Sequence, residues 1–165
     1  MRMPFLIAAL VAGGATAAVA QQSIYYAERG HWTVYNGATA CRALNRPMAD
    51  FNYAPFNALQ IVVRPGSRIG VEVFFWPGSV DPDADNALAL GFGGSTPFIL
   101  PATATIGDYM LASDDSPELW DRLRKAKAMT AKPRSDPTIT LSFSLEEIGW
   151  VMGVLDACSR VLPKE

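Results

Sequence analysis

The residue type most suited to chemistry occurs once in this chain. His31 is the only histidine among 165 residues, so a metal site built from several histidines is excluded. A serine–histidine–aspartate arrangement would have to use it. It stands beside Trp32 at the expected start of a strand, and the sequence suggests no orienting acid or nucleophile nearby. We therefore expect His31 to lie at a surface or a strand edge rather than to act as a general base.

A cluster of aspartates is the second candidate for chemistry. Asp81, Asp83 and Asp85 stand at alternate positions, a spacing that offers hard carboxylate oxygens to calcium. An EF-hand would need glycine and glutamate where this chain has Asn86 and Phe92. The turn chemistry of Asp-Pro-Asp favours a solvated acidic loop, and calcium binding stays open as the alternative.

Aromatic residues offer the first candidate binding surface. Phe74, Phe75 and Trp76 are consecutive, so at least one ring must leave the core face of a strand. We predict an exposed patch of Phe74 and Trp76 beside Phe92, which belongs to a strand whose other face carries only alanine and glycine. Packing of these rings against a helix is the equal alternative.

Basic residues offer the second candidate surface. Residues 69–121 contain nine acids and no base, whereas residues 122–134 contain six bases and no acid. Arg122, Arg124 and Lys125 belong to this basic run and are candidates to bind an anionic surface. The alternative is a solvated helix face, because a helix dipole favours cations in its last turns.

The elements that position these residues begin after an export signal. A positive start at Arg2, an apolar run over residues 4–11 and Ala18-Val19-Ala20 predict a signal peptide over residues 1–20, cleaved after Ala20. An uncleaved anchor helix is the alternative. Residues 21–165 should form one periplasmic or secreted domain without a stable membrane span. Loss of Arg2 takes the formal net charge from −2 to about −3, too mild to indicate nucleic-acid binding.

Two cysteines remain in the exported domain, Cys41 and Cys158. An even cysteine count in an exported chain indicates a disulfide. The bridge would close a loop of more than a hundred residues, which chain entropy values at about 5 kcal/mol. We predict that it ties the last helix to the first hairpin.

Alternating apolar residues predict about seven short strands. Asn36-Gly37 indicates a hairpin with a two-residue loop, in which Tyr35 lies opposite Ala38 and Trp32 opposite Cys41. Residues 58–64 and 70–76 predict a second antiparallel hairpin. Shorter strands are expected at residues 87–92, 98–100, 108–112 and 138–143.

Two helices complete the predicted fold. Ser116 and Pro117 mark the start of the first helix, and Pro133 marks its end. Ser144 and Glu147 form the expected capping box of the second helix. The apolar stripe of that helix consists of Ile148, Val151, Met152, Leu155 and Cys158. These elements indicate an α+β domain with a mainly antiparallel sheet and a C-terminal helix linked by the disulfide to the N-terminal hairpin.

In their order along the chain, these features resemble a known family. The features are a signal peptide, Trp-Thr-Val with a cysteine shortly after, a central sheet with a Pro-Gly turn, a Leu-Trp-Asp-Arg-Leu-Arg-Lys helix, and Phe-Ser-Leu before an amphipathic helix. They are similar to the invasion-associated locus B family of exported proteobacterial proteins. Members usually carry further cysteines in the central region, and this chain has none there. The resemblance implies export and a link to host-cell interaction, with no known reaction.

The sequence therefore predicts a non-catalytic protein that binds another protein or an envelope component. It indicates no catalytic residue, metal or cofactor. One alternative is a carrier for an apolar small molecule, with a cavity lined by the aromatic candidates. Another is a small hydrolase that uses a serine or carboxylates, in which Asp108, Asp114 or Glu72 would converge in a pocket.

Overall fold

The computed structural model describes residues 26–37, 39–45, 57–64, 69–84, 86–105, 109–114 and 116–162. The predicted signal peptide and its cleavage site lie outside these ranges. The described elements are β1 (Tyr26–Arg29), β2 (Trp32–Asn36), β3 (Cys41–Leu44), β4 (Ala58–Val63), β5 (Ile69–Phe74), β6 (Ala87–Gly91), β7 (Phe98–Thr105), β8 (Tyr109–Asp114), α1 (Pro117–Lys125), β9 (Ala128–Pro133), β10 (Leu141–Ser144) and α2 (Ile148–Ser159).

All of these strands belong to one antiparallel sheet in the order β1-β2-β3-β4-β5-β8-β7-β6-β9-β10. The sheet curves into a half-barrel, and two helices accompany it. The prediction of an α+β domain with about seven short strands is therefore wrong. The chain forms a predominantly β structure of ten strands in which the helices are minor elements.

Strand β9 accounts for part of this error. The basic run predicted a helix that continues to Pro133, but α1 ends at Lys125 and residues 128–133 extend as a strand. Met129 and Ala131 alternate with polar neighbours and are buried. The backbone of β9 pairs with β6 on one side and β10 on the other. Burial and pairing on both sides outweigh the helix signals, because local propensity is weak against tertiary context.

The inner face of the sheet forms the core. Helix α2 packs against β2, β3 and β4 and contacts α1. Its predicted apolar stripe, from Ile148 to Cys158, is buried. The predicted pairing of β4 with β5 is also present, with Ile61 opposite Val71. Neither helix of the described chain is long and apolar enough to cross a bilayer.

The disulfide joins Cys41 in β3 to Cys158 in the last turn of α2. The two Cα atoms are 6.1 Å apart, and 117 positions separate the cysteines along the chain. Both residues are fully buried. The predicted bridge is confirmed, and it fixes the end of α2 on the inner face of the sheet.

The first hairpin has a different register from the predicted one. Asn36 lies opposite Cys41 and Thr33 opposite Leu44, so four residues connect the strands. The predicted two-residue turn needs positive φ at both Asn36 and Gly37. Neither residue adopts a positive φ, and the Gly37 amide instead donates to the Ala40 carbonyl at 2.8 Å.

The start of α2 also differs from the predicted capping box. The helix begins at Ile148, and the residue before it, Glu147, has a φ of 65° and makes no side-chain cap. The Leu145 amide donates to the Lys127 carbonyl at 2.9 Å, and the Leu145 side chain is buried. Strand pairing thus continues past Ser144 and delays the helix, while Glu147 forms an ion pair with Arg29 at 3.0 Å.

Candidate functional site

A pocket of about 370 Å³ lies between the two helices and the end of the β4–β5 hairpin. Its lining includes Val63, Ile69, Trp120, Arg124, Asp156 and Ser159. The strand residues supply an apolar floor, and the helices supply charged and hydroxyl groups around it. We call this the interhelical pocket.

Helix α1 presents one wall of the interhelical pocket. Leu119 and Leu123 are buried and hold the helix against the core. Trp120 and Arg124 stand one turn apart, and the guanidinium carbon lies 5.1 Å from the indole centroid. This spacing is that of i,i+4 neighbours on a helix, and a cation over an indole is attracted by the ring quadrupole. The pair forms an amphipathic wall with an exposed cation.

Helix α2 presents the opposite wall next to the disulfide. Asp156 and Ser159 flank Cys158, and the Ser159 hydroxyl donates to the Asp156 carbonyl at 2.9 Å. Arg160 forms an ion pair with the Asp156 carboxylate. On the floor, Val63 lies directly opposite Cys41. The bridge therefore fixes the position of this wall relative to the floor.

The basic candidates of α1 have different environments. The Arg122 guanidinium donates to the Glu118 carboxylate at 2.8 and 3.0 Å and to the Thr96 carbonyl at 3.0 Å. It also lies 5.2 Å from the Phe98 ring centroid. Arg122 thus anchors α1 to the β6–β7 connection, a role that its sequence context did not indicate.

Arg124 and Lys125 are exposed. Lys125 pairs with Asp121 at 3.5 Å in an i,i+4 arrangement with both side chains largely exposed. Such pairs stabilise a helix by only about 0.5 kcal/mol. Of the basic candidates, these two are available for contact with a partner.

The aromatic candidates are spread over both faces of the sheet. Phe74 is half-buried on the outer face, where its ring centroid lies 5.0 Å from that of Tyr109. Trp76 is 60% exposed, whereas Phe92 is 8% exposed and packs in the core. These three rings do not line one cavity.

Phe74 and the basic candidates also lie at different ends of the sheet. Phe98, which Arg122 covers, is the first residue of β7, and Thr105 is the last. Thr105 pairs with Tyr109, which in turn lies opposite Phe74. Seven residue steps along a strand span on the order of 20 Å. The structure therefore does not bring the two groups together as one surface.

The acids proposed for a hydrolase do not converge either. Glu72 lies opposite Leu111, three residues before Asp114 on β8, so the two acids fall on opposite faces of the sheet. The Asp114 carboxylate accepts hydrogen bonds from the amide and hydroxyl of Ser116. Asp108 lies outside the described residues.

The other candidates for chemistry have ordinary turn contacts. His31 is exposed in the β1–β2 turn, as expected. Asp81 accepts the Asp83 amide at 2.9 Å within its own loop, and Asp85 lies outside the described residues. In the ranges that the structure describes, no group of three His, Cys, Asp or Glu residues could hold a metal ion.

A polar network that was not predicted from the sequence lies on the outer face, the sheet face opposite α2. Glu72 is only 3% exposed and accepts two contacts from Nη1 of Arg42, at 2.9 and 3.1 Å. Gln60, 5% exposed, donates to the same carboxylate and accepts the Tyr35 hydroxyl at 2.9 Å. The only available signal was the placement of Gln60 and Glu72 among apolar residues of the two central strands.

Two tyrosine hydroxyls belong to this network. Burial raises the pKa of Tyr109. The negative charge of Glu72 and its hydrogen bond with Tyr109 raise that pKa further. Burial also raises the pKa of Tyr35. Both hydroxyls therefore stay protonated well above neutral pH and serve as hydrogen-bond donors.

Comparison with solved structures shows a likeness at the level of the fold. The crystal structure of invasion associated protein B from Bartonella henselae is similar to this chain with a TM-score of 0.59. The alignment has 12% sequence identity and covers 82% of this chain and 99% of that chain. No protein-family model and no curated protein matches the chain. The likeness agrees with the resemblance found in the sequence as far as the fold is concerned.

Proposed function

We propose that this chain is an exported, non-catalytic protein that binds a protein or another envelope component through the exposed end of α1 and the interhelical pocket. The observation that carries the proposal is the placement of Arg124 and Lys125. Both are exposed, and Arg124 lines the pocket beside Trp120.

Rigidity of the pocket supports this assignment. Its α2 wall adjoins the buried disulfide, and its α1 wall is anchored by buried leucines and by Arg122. A preorganised surface loses little conformational entropy when it binds, so more of the contact energy appears as affinity. The fold likeness to invasion associated protein B from Bartonella henselae also supports a binding role.

Export is part of the proposal and is supported by the sequence pattern of residues 1–20. A compartment that oxidises thiols suits the Cys41–Cys158 bridge. We therefore propose the periplasm, or the space outside the cell, as the location of the mature protein.

Affinity capture from envelope extract tests the proposed surface. The test variant is Arg124→Glu/Lys125→Glu, which reverses the two exposed charges of α1 and leaves the anchoring Arg122 intact. The control is Lys127→Glu/Arg134→Glu, which makes the same change in charge at exposed residues flanking β9.

We expect the partners captured by the native chain to be retained by the control and lost by the α1 variant, with all three proteins equally stable in thermal unfolding. Equal loss in both variants would indicate nonspecific electrostatic capture. Full retention in the α1 variant would refute the proposed surface.

A further inference from the structure

The outer face of the sheet carries a second arginine near the polar network. Arg64 follows β4 and is half-buried. Its Nη1 lies 3.6 Å from the point where a Cβ on Gly70 would stand. Gly70 and Glu72 share one face of β5 and are about 7 Å apart along the strand. The Arg64 guanidinium thus lies over β5 at Gly70, one same-face position from the carboxylate that Arg42 binds.

Among the described residues beside the polar network, positive side chains outnumber negative ones. Arg42 pairs with the Glu72 carboxylate from β3, and Arg64, at the end of β4, lies over Gly70, so two cations lie near this one buried carboxylate. Glu28 lies on the same face but belongs to β1, two strands from Arg42, and it accepts the hydroxyls of Tyr26 and Thr33. Within the described chain, Arg64 has no ion-pair partner.

The guanidinium groups also keep donors open to solvent. Arg42 uses only its Nη1 toward Glu72, although a guanidinium has five N–H donors. Among the residues that the structure describes, no buried side-chain nitrogen or oxygen lacks a hydrogen-bond partner. The unused N–H groups of Arg42 and Arg64 are therefore accessible to solvent.

The surroundings hold the Arg42 donors in place. Arg42 is fixed by Glu72, which Gln60 and Tyr109 also bind. The rings of Phe74 and Tyr109 form an apolar wall beside the carboxylate. A fixed guanidinium fork beside an aromatic wall suits a planar or tetrahedral oxyanion, because two parallel N–H donors match its oxygen atoms.

We propose that Arg42 and Arg64 form a binding site for an oxyanion, a carboxylate, phosphate or sulfate group carried by a small ligand. We call it the outer-face arginine site. Arg64 supplies a charge without an ion-pair partner among the described residues, Arg42 supplies prepositioned donors, and Glu72 orients Arg42. The site is on the sheet face opposite α2 and is independent of the function proposed for the interhelical pocket.

Titration with inorganic phosphate tests the site directly. Binding is followed on the purified chain by the NMR signals of the arginine Nε–H groups, with sodium chloride added to hold ionic strength constant. Sulfate and acetate are titrated in parallel to identify the preferred oxyanion. The test variant is Arg64→Gln, because Arg64 is not bonded to the buried network, and the matched control is Arg134→Gln, an exposed arginine after β9.

We expect saturable phosphate binding that Arg64→Gln weakens at least tenfold and that Arg134→Gln changes less than twofold. The thermal midpoint without phosphate should be the same for Arg64→Gln and the native chain. The proposal is overturned if none of the three anions acts differently from chloride, or if Arg64→Gln binds the preferred anion as tightly as the native chain.

Discussion

Reduction of the Cys41–Cys158 bridge should destabilise the fold more than most single perturbations. The bridge closes a loop of 117 residues. The chain-entropy relation gives about 16 cal/mol/K for this length, or about 5 kcal/mol at 25 °C. Domains of this size have unfolding free energies of about 5–15 kcal/mol in total. Loss of the bridge therefore removes a large share of the stability.

Urea unfolding with and without dithiothreitol measures this contribution. Trp32 is 1% exposed, so its fluorescence reports loss of the core. The reduced chain keeps both sulfur atoms in place, and its deficit therefore isolates the cross-link. The Cys41→Ala/Cys158→Ala variant should be slightly less stable than the reduced chain, because two buried sulfur atoms are missing. It also serves as the control that must not respond to dithiothreitol.

We expect the unfolding free energy to fall by about 2–5 kcal/mol on reduction, with the upper value set by the loop entropy. A difference of less than about 1 kcal/mol between the reduced and oxidised chains, at equal m-values, would contradict a stabilising role of the cross-link. Equal m-values would mean that the unfolded chain is equally expanded in both forms, so compaction could not explain a small difference.

Three further perturbations test individual contacts. Gly91→Ala should lower the unfolding free energy in urea by about 1–3 kcal/mol, since the added Cβ would clash with Thr130 Oγ1. Adding Thr130→Ala should restore most of this free energy, and additive effects of the two substitutions would contradict the clash. Trp32→Phe removes the indole N–H that donates to the Glu146 carbonyl at 2.9 Å, and should cost about 1–3 kcal/mol; unchanged stability would contradict a role for this bond. Because the folded pKa of Tyr109 is raised above its ordinary value of 10.0, its contribution is fully present below pH 10 and is lost as pH rises further. Absorbance titration should show one fewer late-ionising tyrosine in Tyr109→Phe than in the native chain, and loss of an ordinary tyrosine ionisation instead would contradict the burial of Tyr109.

Local sequence patterns predicted correctly those elements whose apolar residues follow a single period. The β4–β5 hairpin and the stripe of α2 follow directly from apolar residues at periods of two and 3.6. The cysteine count predicted the bridge, because two cysteines in a chain expected to be exported leave one pairing. Apolar periodicity is a local signal, and the cysteine count leaves only one possible pair. Neither signal requires the order of strands in the sheet.

The errors arose where distant partners decide the conformation. Residues 128–133 follow a helix and carry lysine, but pairing with β6 and β10 makes them a strand. The two-residue turn predicted at Asn36-Gly37 is wrong, because the register of β3 is also set by its pairing with β4. A strand gains most of its stability from neighbours that the local sequence does not identify.

The candidate sites were harder to predict than the fold. Arg122 and Arg124 are two residues apart, yet one anchors the helix and the other faces the interhelical pocket. Arg42 and Glu72 are separated by thirty positions along the chain and meet only through the sheet. Charge patterning identifies the residues, but tertiary contacts decide which of their donors stay open.

The half-barrel has a seam where its first strands meet the segment that enters α2. Across it, the Asn45 amide group reaches the Ser144 carbonyl at 2.9 Å and the Arg29 guanidinium reaches Glu147 at 3.0 Å. Side chains make these links, whereas main-chain ladders join every neighbouring pair of strands. Each link contributes about 1 kcal/mol or less, because one is a hydrogen bond and the other is an exposed ion pair. The curvature of the sheet at this line therefore depends on side-chain contacts, on the packing of α2 against β2, β3 and β4, and on the sulfur bridge, whereas elsewhere the ladders themselves set it.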